Sequence, residues 1–403
     1  MVNRLRCLFS RKMQKKICLS TDQEQVLKKA LDWISSPQGK YLTIGGYAGT
    51  GKTTLTAFIR QEVFKKDALL AVGFCSYTGK AARNLEEKLR ENKAIYSGDS
   101  VSTIHSLIYT AITNKQGDVT GWKRRDYLDF DLIIVDEASM VDPYILNDLI
   151  SYDIPIIAVG DHGQLPPIGA NYSLMQNPHL VLDQIHRQTE DSPIIDVSIL
   201  ARETGEIPIK KFGNGVQKIS KHDADAQEIL NEALSGYGED VMIICGYNTT
   251  RLNLNKEMRA RKEKFGGLPE CGDRVVALKN NHYSQIYNGA TGVIEKILEI
   301  DETGNWMLVK IALDGQDKMY QGYIYVPQFN QKEVLTVSPR DPDGHQGDLF
   351  DYGYALTVHK AQGSQAERVI LFEERFPKAT DEEWRRWLYT AVTRAKKELL
   401  IIG

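Results

Sequence analysis

The sequence predicts an α/β protein of two units built on mostly parallel sheets, the second interrupted by a small antiparallel insert. Three observations predict it. From residue 41 to 160, short apolar runs alternate with amphipathic helical stretches, the rhythm of a parallel sheet with helices on both faces. A comparable alternation returns after residue 179 and again over 351–403. Between about 266 and 347 the pattern changes to short alternating segments separated by turn signals, as in paired antiparallel strands. The expected organisation is an unstructured basic tail at 1–17 and a first unit at 18–178, with a hairpin insert at about 109–125. A second unit at 179–265 and 348–403 follows, with a β-barrel-like insert at 266–347.

At 403 residues the chain exceeds one ordinary domain. Its 42% apolar content is enough for real cores, and its net charge of −3 is that of a soluble protein. A near-neutral chain does not coat nucleic acid, but it can grip a phosphate backbone through a locally basic channel. The five cysteines form no C-x-x-C pair; Cys75 and Cys245 end apolar runs and read as core thiols of a reducing, cytoplasmic compartment. No run of 18 apolar residues is present, so no membrane partner is expected. The first sixteen residues carry Arg4, Arg6, Arg11, Lys12, Lys15 and Lys16 without an acid. That is a solvated charge run rather than a signal peptide, and Met13 is a candidate start.

In chain order, 69–75, 132–135 and 154–159 read as buried strands and 80–90 as a helix. Next, 180–182 is a short strand, and 193–202 is a helix opened by Pro193 with Ile194, Ile195, Val197 and Leu200 as its stripe. A strand at 241–245 and a helix at 249–262 follow. The insert's segments are 274–278, 291–297, 306–313 and 322–326, separated by turn signals such as Asn288-Gly289 and Asp314-Gly315. The end of the chain reads as strands at 354–358, 368–372 and 398–402 around a helix near 381–394.

The most informative segment is G-Y-A-G-T-G-K-T at 46–53, between the apolar run 41–44 and a helix-compatible stretch. Strand, glycine loop and helix together make a phosphate cradle. Gly46, Gly49 and Gly51 let the backbone curl so that the amides of the loop, with Ala48, Thr50 and Thr54, face one anion. The helix N-terminus adds its positive end. Lys52 reaches the terminal phosphates, and the Thr53 hydroxyl holds Mg²⁺. A plain glycine turn is the alternative, and the strand-to-helix context argues against it.

Two carboxylates end the run Leu132-Ile133-Ile134-Val135-Asp136-Glu137. In a parallel sheet that end lies beside the phosphate loop, so Asp136 binds Mg²⁺ and Glu137 activates the attacking water. Gln164, in Gly160-Asp161-His162-Gly163-Gln164-Leu165-Pro166-Pro167, is placed to sense a γ-phosphate, and the two prolines stiffen the exit. Arg187 and Arg394 are candidates to stabilise charge on a transferring phosphoryl group; a lone arginine is otherwise a surface residue.

The ordered motifs resemble the superfamily 1 DNA helicases, in particular the RecD-like and Dda-like branch. They are Leu19-Ser20-Thr21-Asp22-Gln23, the 46–53 loop, Tyr77-Thr78-Gly79-Lys80-Ala81-Ala82, Ser102-Thr103-Ile104-His105 and Val135-Asp136-Glu137-Ala138-Ser139-Met140. The segments at 160–167, His186-Arg187-Gln188, Thr357-Val358-His359-Lys360-Ala361-Gln362-Gly363-Ser364 and Tyr389-Thr390-Ala391-Val392-Thr393-Arg394 complete them. The resemblance implies two RecA-like motor domains, ATP and Mg²⁺ as cofactors, and single-stranded and fork DNA as partners. It also implies a monomer moving 5′→3′. Gln23 is then the adenine reader, Arg187 and Arg394 the trans-acting arginines, and Thr78, His105, Thr357 and His359 the DNA contacts. Trp122, in the hairpin at 109–125, is the aromatic that would stack on the fork. The insert at 266–347 resembles the small barrel of this branch, with Tyr283 and Tyr287 as barrel filling.

Two other classes stay open from residues alone. A nucleotide switch without motor action would carry a guanine-reading Asn-Lys-x-Asp; residues 114–118 have one residue too many. An RNA-tracking motor differs by contacts to the 2′-hydroxyl, which a sequence does not display.

Overall fold

Four strands, Tyr41–Gly46, Val72–Ser76, Leu132–Asp136 and Ile156–Gly160, are almost wholly buried, which is why each reads as a near-continuous apolar run. In the computed structural model they belong to a six-stranded sheet. Its order is Leu180–Leu182, Tyr41–Gly46, Ile156–Gly160, Leu132–Asp136, Val72–Ser76, Ser100–Thr103, and every pairing is parallel. The structure describes residues 7–9, 16–113, 119–167, 173–184, 192–238, 240–279, 281, 284, 286, 288–315, 319–344 and 346–403.

Alternate side chains of these strands feed two cores. Ile44, Phe74, Ile134 and Ile157 pack with Val26 and Leu27 of the helix Thr21–Ser35, Leu55 and Ile59 of Lys52–Lys66, and Leu85 of Gly79–Glu91. Cys75, Ile133, Val135 and Ala158 pack with Ile104, Ile108, Ile145 and Leu149. The sheet is therefore covered on both faces, and its strand C-termini share one edge, where Gly46, Asp136 and Gly160 fall.

The chain divides into one unit of Met1–Thr110 with Arg124–Ser192 and another of Ala111–Lys123 with Pro193–Gly403. The strand Leu180–Leu182, expected in the second unit, instead extends the first sheet beside Tyr41–Gly46. Cys7–Phe9 pairs antiparallel with Lys16–Cys18, so strand backbone occurs within the segment expected to be a tail. Tyr109–Thr113 and Val119–Arg124 form the two-stranded sheet expected of the hairpin.

The second unit holds a six-stranded sheet ordered Lys210–Gly213, Val216–Ile219, Ala395–Ile402, Ala366–Phe372, Val241–Cys245, Ala355–Thr357. It is parallel except for its first pair. A separate five-stranded antiparallel sheet runs Tyr320–Tyr325, Trp306–Leu313, Thr291–Ile300, Arg274–Ala277, Phe350–Tyr352. Its last strand lies beyond the expected insert boundary at 347. This insert shares a core with the parallel sheet: Ile243 and Cys245, and Leu254 and Met258 of the helix Asn248–Arg261, join one cluster with Val275, Ile294, Val309, Phe350 and Tyr352. Two buried ion pairs pin that helix to the insert, Arg251 with Asp351 at 2.5 Å and Arg259 with Asp273 at 3.2 Å. Tyr283 and Tyr287 lie outside the described residues. Among the described residues no helix is long and apolar enough to cross a membrane.

Candidate active site

The loop after Tyr41–Gly46 curls through two left-handed residues, Gly49 (φ 86°) and Gly51 (φ 81°), a conformation that costs a side-chain-bearing residue free energy. A Cβ on Gly51 would lie 2.4 Å from Gln23 Nε2, and one on Gly46 would lie 2.6 Å from Thr50 Oγ1. Gly51 caps the helix Lys52–Lys66 without a side-chain bond, so the first-turn amides are open to an external anion. Thr50 is buried and its hydroxyl donates to Tyr47 O at 2.9 Å. Ala48, Thr53 and Thr54 are half-buried on the same loop and first turn.

Lys52 folds back over this loop. Its Nζ donates to Gly46 O at 2.7 Å and Tyr47 O at 3.0 Å, and lies 4.0 Å from Asp161 Oδ2. Asp161 follows the strand Ile156–Gly160 and is 1% exposed. Its Oδ1 accepts from Gly163 N at 2.9 Å, and its Oδ2 accepts from Gln164 Nε2 at 3.4 Å. Asp161 thus joins the loop lysine to the glutamine, a link that the motif reading, which singled out only Gln164, missed. Gln164 is buried, and among the described residues its Oε1 has no hydrogen-bond partner.

Asp136 ends the buried strand Leu132–Asp136 and accepts from Glu137 N at 3.0 Å. Burial, with repulsion from Glu137, pushes its carboxyl up to about 6. Glu137 takes a left-handed backbone (φ 51°), a conformation rarely held by a residue with a side chain unless its surroundings impose it. Among the described residues its Oε2 is buried without a hydrogen-bond partner. The left-handed backbone and the buried carboxylate oxygen make Glu137 a candidate base.

Gln23 is 4% exposed. Its Oε1 accepts from Ser20 N at 3.0 Å, closing the capping box of Thr21–Ser35, and its Nε2 donates to Thr50 O at 2.8 Å. The amide holds the 46–53 loop at Thr50 O and retains one N–H and one lone pair.

The remaining expected residues are more dispersed. Thr78 caps the helix Gly79–Glu91 by accepting from Ala81 N at 3.2 Å, which leaves its O–H to donate. His105 departs from the surface position that a DNA contact implies. It is 4% exposed, with its ring against Tyr77 and Tyr109, because the short helix Ile104–Ile108 turns it into the core. Trp122 lies on the strand Val119–Arg124, with its side chain outside the described residues, as is all of Arg187. Thr357 ends the strand Ala355–Thr357, and burial lowers the pKa of His359.

Arg394 differs most from expectation. Its guanidinium is buried at 2% exposure and donates to Thr390 O at 2.9 Å, Ser364 O at 3.2 Å and Thr393 Oγ1 at 3.2 Å. It ties the loop at Ser364 to the end of the helix Asp381–Val392. Among the described residues no group of three or more His, Cys, Asp or Glu is arranged to hold a metal by itself. The donors present, Asp136 and the Thr53 hydroxyl, fit instead a hard cation completed by water and phosphate oxygens.

A parallel sheet with a glycine cradle, a lysine, paired carboxylates and a sensor glutamine along one edge defines the P-loop nucleotide hydrolase class. An AAA-domain family matches residues 29–170, and the UvrD-like helicase C-terminal domain matches 352–402. The ATP-dependent DNA helicase dda of Enterobacteria phage T4 is 30% identical over 429 residues, spanning 90% of this chain and 94% of that protein. The ATP-dependent RecD2 DNA helicase of Deinococcus radiodurans is 28% identical over 421 residues. That alignment spans 95% of this chain and 51% of that protein, so the chain covers about half the length of that relative. The crystal structure of a Bacteroides Pif1 helicase in complex with ADP-AlF3 and ssDNA shares the fold, with a TM-score of 0.53 and 17% identity over 96% of this chain and 92% of that one. The chain belongs to the superfamily 1 helicases of the RecD- and Dda-like branch.

Proposed function

We propose that the protein is an ATP-driven motor that moves 5′→3′ along single-stranded DNA and separates strands at a fork. The observation that carries this is the orphaned Glu137 Oε2, held in a left-handed conformation next to Asp136 on the strand edge that also bears the phosphate loop. The relatives add the substrate class: dda and RecD2 are named as ATP-dependent DNA helicases.

In this reading Gln23 meets the adenine edge, and the amides of 46–54 hold the phosphates. Lys52 exchanges Gly46 O and Tyr47 O for phosphate oxygens. Thr53 and Asp136 would hold Mg²⁺, which when bound neutralises charge on the phosphate oxygens. Glu137 takes the proton of the attacking water, and Gln164 Oε1 orients that water. Arg187 and Arg394 supply positive charge to the transferring group; Arg394 must first give up its bonds to Ser364 and Thr390. Thr78, Thr357 and His359 grip DNA phosphates, His105 joins them only if its ring leaves the core, and Trp122 stacks at the fork.

The test is ATP turnover with and without single-stranded DNA. Turnover that rises steeply with DNA supports the motor. Turnover that is identical with and without DNA returns the chain to the switch class, and stimulation by RNA alone makes RNA the track.

A further inference from the structure

Lys360 lies in the loop that follows the strand Ala355–Thr357, between the DNA-facing candidates Thr357 and His359 on one side and Gln362 on the other. Among the described residues it forms no salt bridge. Its Nζ donates to Leu278 O at 3.3 Å and to Asn288 Oδ1. Both acceptors belong to the antiparallel insert. Next to them, Gly289 N donates to Ala277 O at 2.9 Å and Ala277 N to Ala290 O at 2.8 Å. Gly289 is left-handed (φ 86°), and a Cβ there would meet Lys360 O at 3.3 Å. The insert's turn therefore lies on the backbone of Lys360 as well as receiving its ammonium.

Neutral acceptors compensate a buried cation poorly. Burial and the nearby Arg251 guanidinium push the Lys360 ammonium down to about 8, and Asp351, paired with Arg251, opposes that shift. No salt bridge to Lys360 exists among the described residues. A side chain kept in so unfavourable a setting, bridging the loop and the insert, suits a role in transmission more than in stability.

We propose that Lys360 is a positioning residue that clamps the insert at Leu278, Asn288 and Gly289 to the loop carrying Thr357 and His359, so that DNA binding at that loop and placement of the insert are one event. The inference rests on the motor reading above. Its consequence is specific: loosening the clamp weakens the grip on DNA without slowing turnover once DNA is bound.

The experiment compares wild type, Asn288→Ala, Lys360→Met, their combination and Lys360→Arg, titrating oligothymidylate into an ATP turnover assay. Asn288→Ala and Lys360→Met are each expected to raise the half-saturating oligothymidylate concentration about tenfold, with the saturated rate unchanged. The combination should be no worse than either single variant, because both remove one interaction. Lys360→Arg, which keeps charge and donors, should recover to within about twofold of wild type. Unshifted half-saturation in both single variants overturns the clamp alone. So does a fall in the saturated rate at unchanged half-saturation. A wild type that does not respond to DNA overturns the motor reading and takes this inference with it.

Discussion

Lys52 Nζ and Asp161 Oδ2 lie 4.0 Å apart, and the same carboxylate oxygen accepts from Gln164 Nε2 at 3.4 Å. The lysine proposed to move onto phosphate and the glutamine proposed to sense it therefore share one anion. When Lys52 leaves, Asp161 Oδ2 loses this cation and keeps Gln164 Nε2 as a donor. Asp161→Asn is expected to lower kcat by about tenfold while leaving KM for ATP within about twofold, since the positioning of the attacking water suffers more than nucleotide binding. Steady-state kinetics check this; an unchanged kcat removes Asp161 from the mechanism.

Glu137→Gln keeps the shape of the side chain and removes its basicity. ATP binding should survive, and turnover should fall by about 10²–10⁴-fold. Filter binding of labelled ATP beside a turnover assay separates the two. Full turnover in this variant would move the base to another residue.

Asp136 should show the opposition between stability and function. Its folded pKa, about 6, exceeds the ordinary aspartate value of 3.8. The folded state then holds more protons than the unfolded one between these values, so stability falls as pH rises from about 4 to about 6 and stays low above it. Asp136→Asn is therefore expected to stabilise the nucleotide-free chain at pH 7, by about 3 kcal/mol at most, while abolishing turnover. Thermal melts at pH 4.5 and pH 7 measure it: the stabilisation should appear at the higher pH and shrink at the lower. The same protonation should weaken Mg²⁺-dependent ATP binding below pH about 6.

Stability of the first unit should rest on Arg60 and Asp99. Both side chains are fully buried and paired at 2.9 Å, and Asp99 also accepts from Val72 N and Tyr96 N. Removing one partner strands the other's charge. Asp99→Ala is expected to destabilise by about 3–5 kcal/mol, read by urea unfolding; a loss near zero would mean that water enters the site.

What was legible in the sequence was what is local. The 46–53 loop, the buried strand ending at Asp136 and Glu137, and the four core strands of the first sheet each carry their signal within a few residues. Polar edge strands do not: Ser100–Thr103 and Lys210–Gly213 lack an apolar run, because an edge strand is only partly covered. Leu180–Leu182 was visible as a strand but not as a member of the first sheet, since three residues carry no information about their neighbour. The pairs Arg60–Asp99, Arg251–Asp351 and Lys360–Asn288 span 39, 100 and 72 positions, and nothing local announces them. The motif of Arg394 implies a trans-acting arginine, and nothing local announces that its guanidinium bonds Thr390 O and Ser364 O.

The most direct test of the central claim is strand separation on duplexes carrying either a 5′ or a 3′ single-stranded tail, with ATP and Mg²⁺, for wild type and Lys52→Ala. The account predicts that wild type unwinds the 5′-tailed duplex, leaves the 3′-tailed one intact, and that Lys52→Ala unwinds neither. Unwinding of neither substrate by wild type, or unwinding by Lys52→Ala, would contradict it.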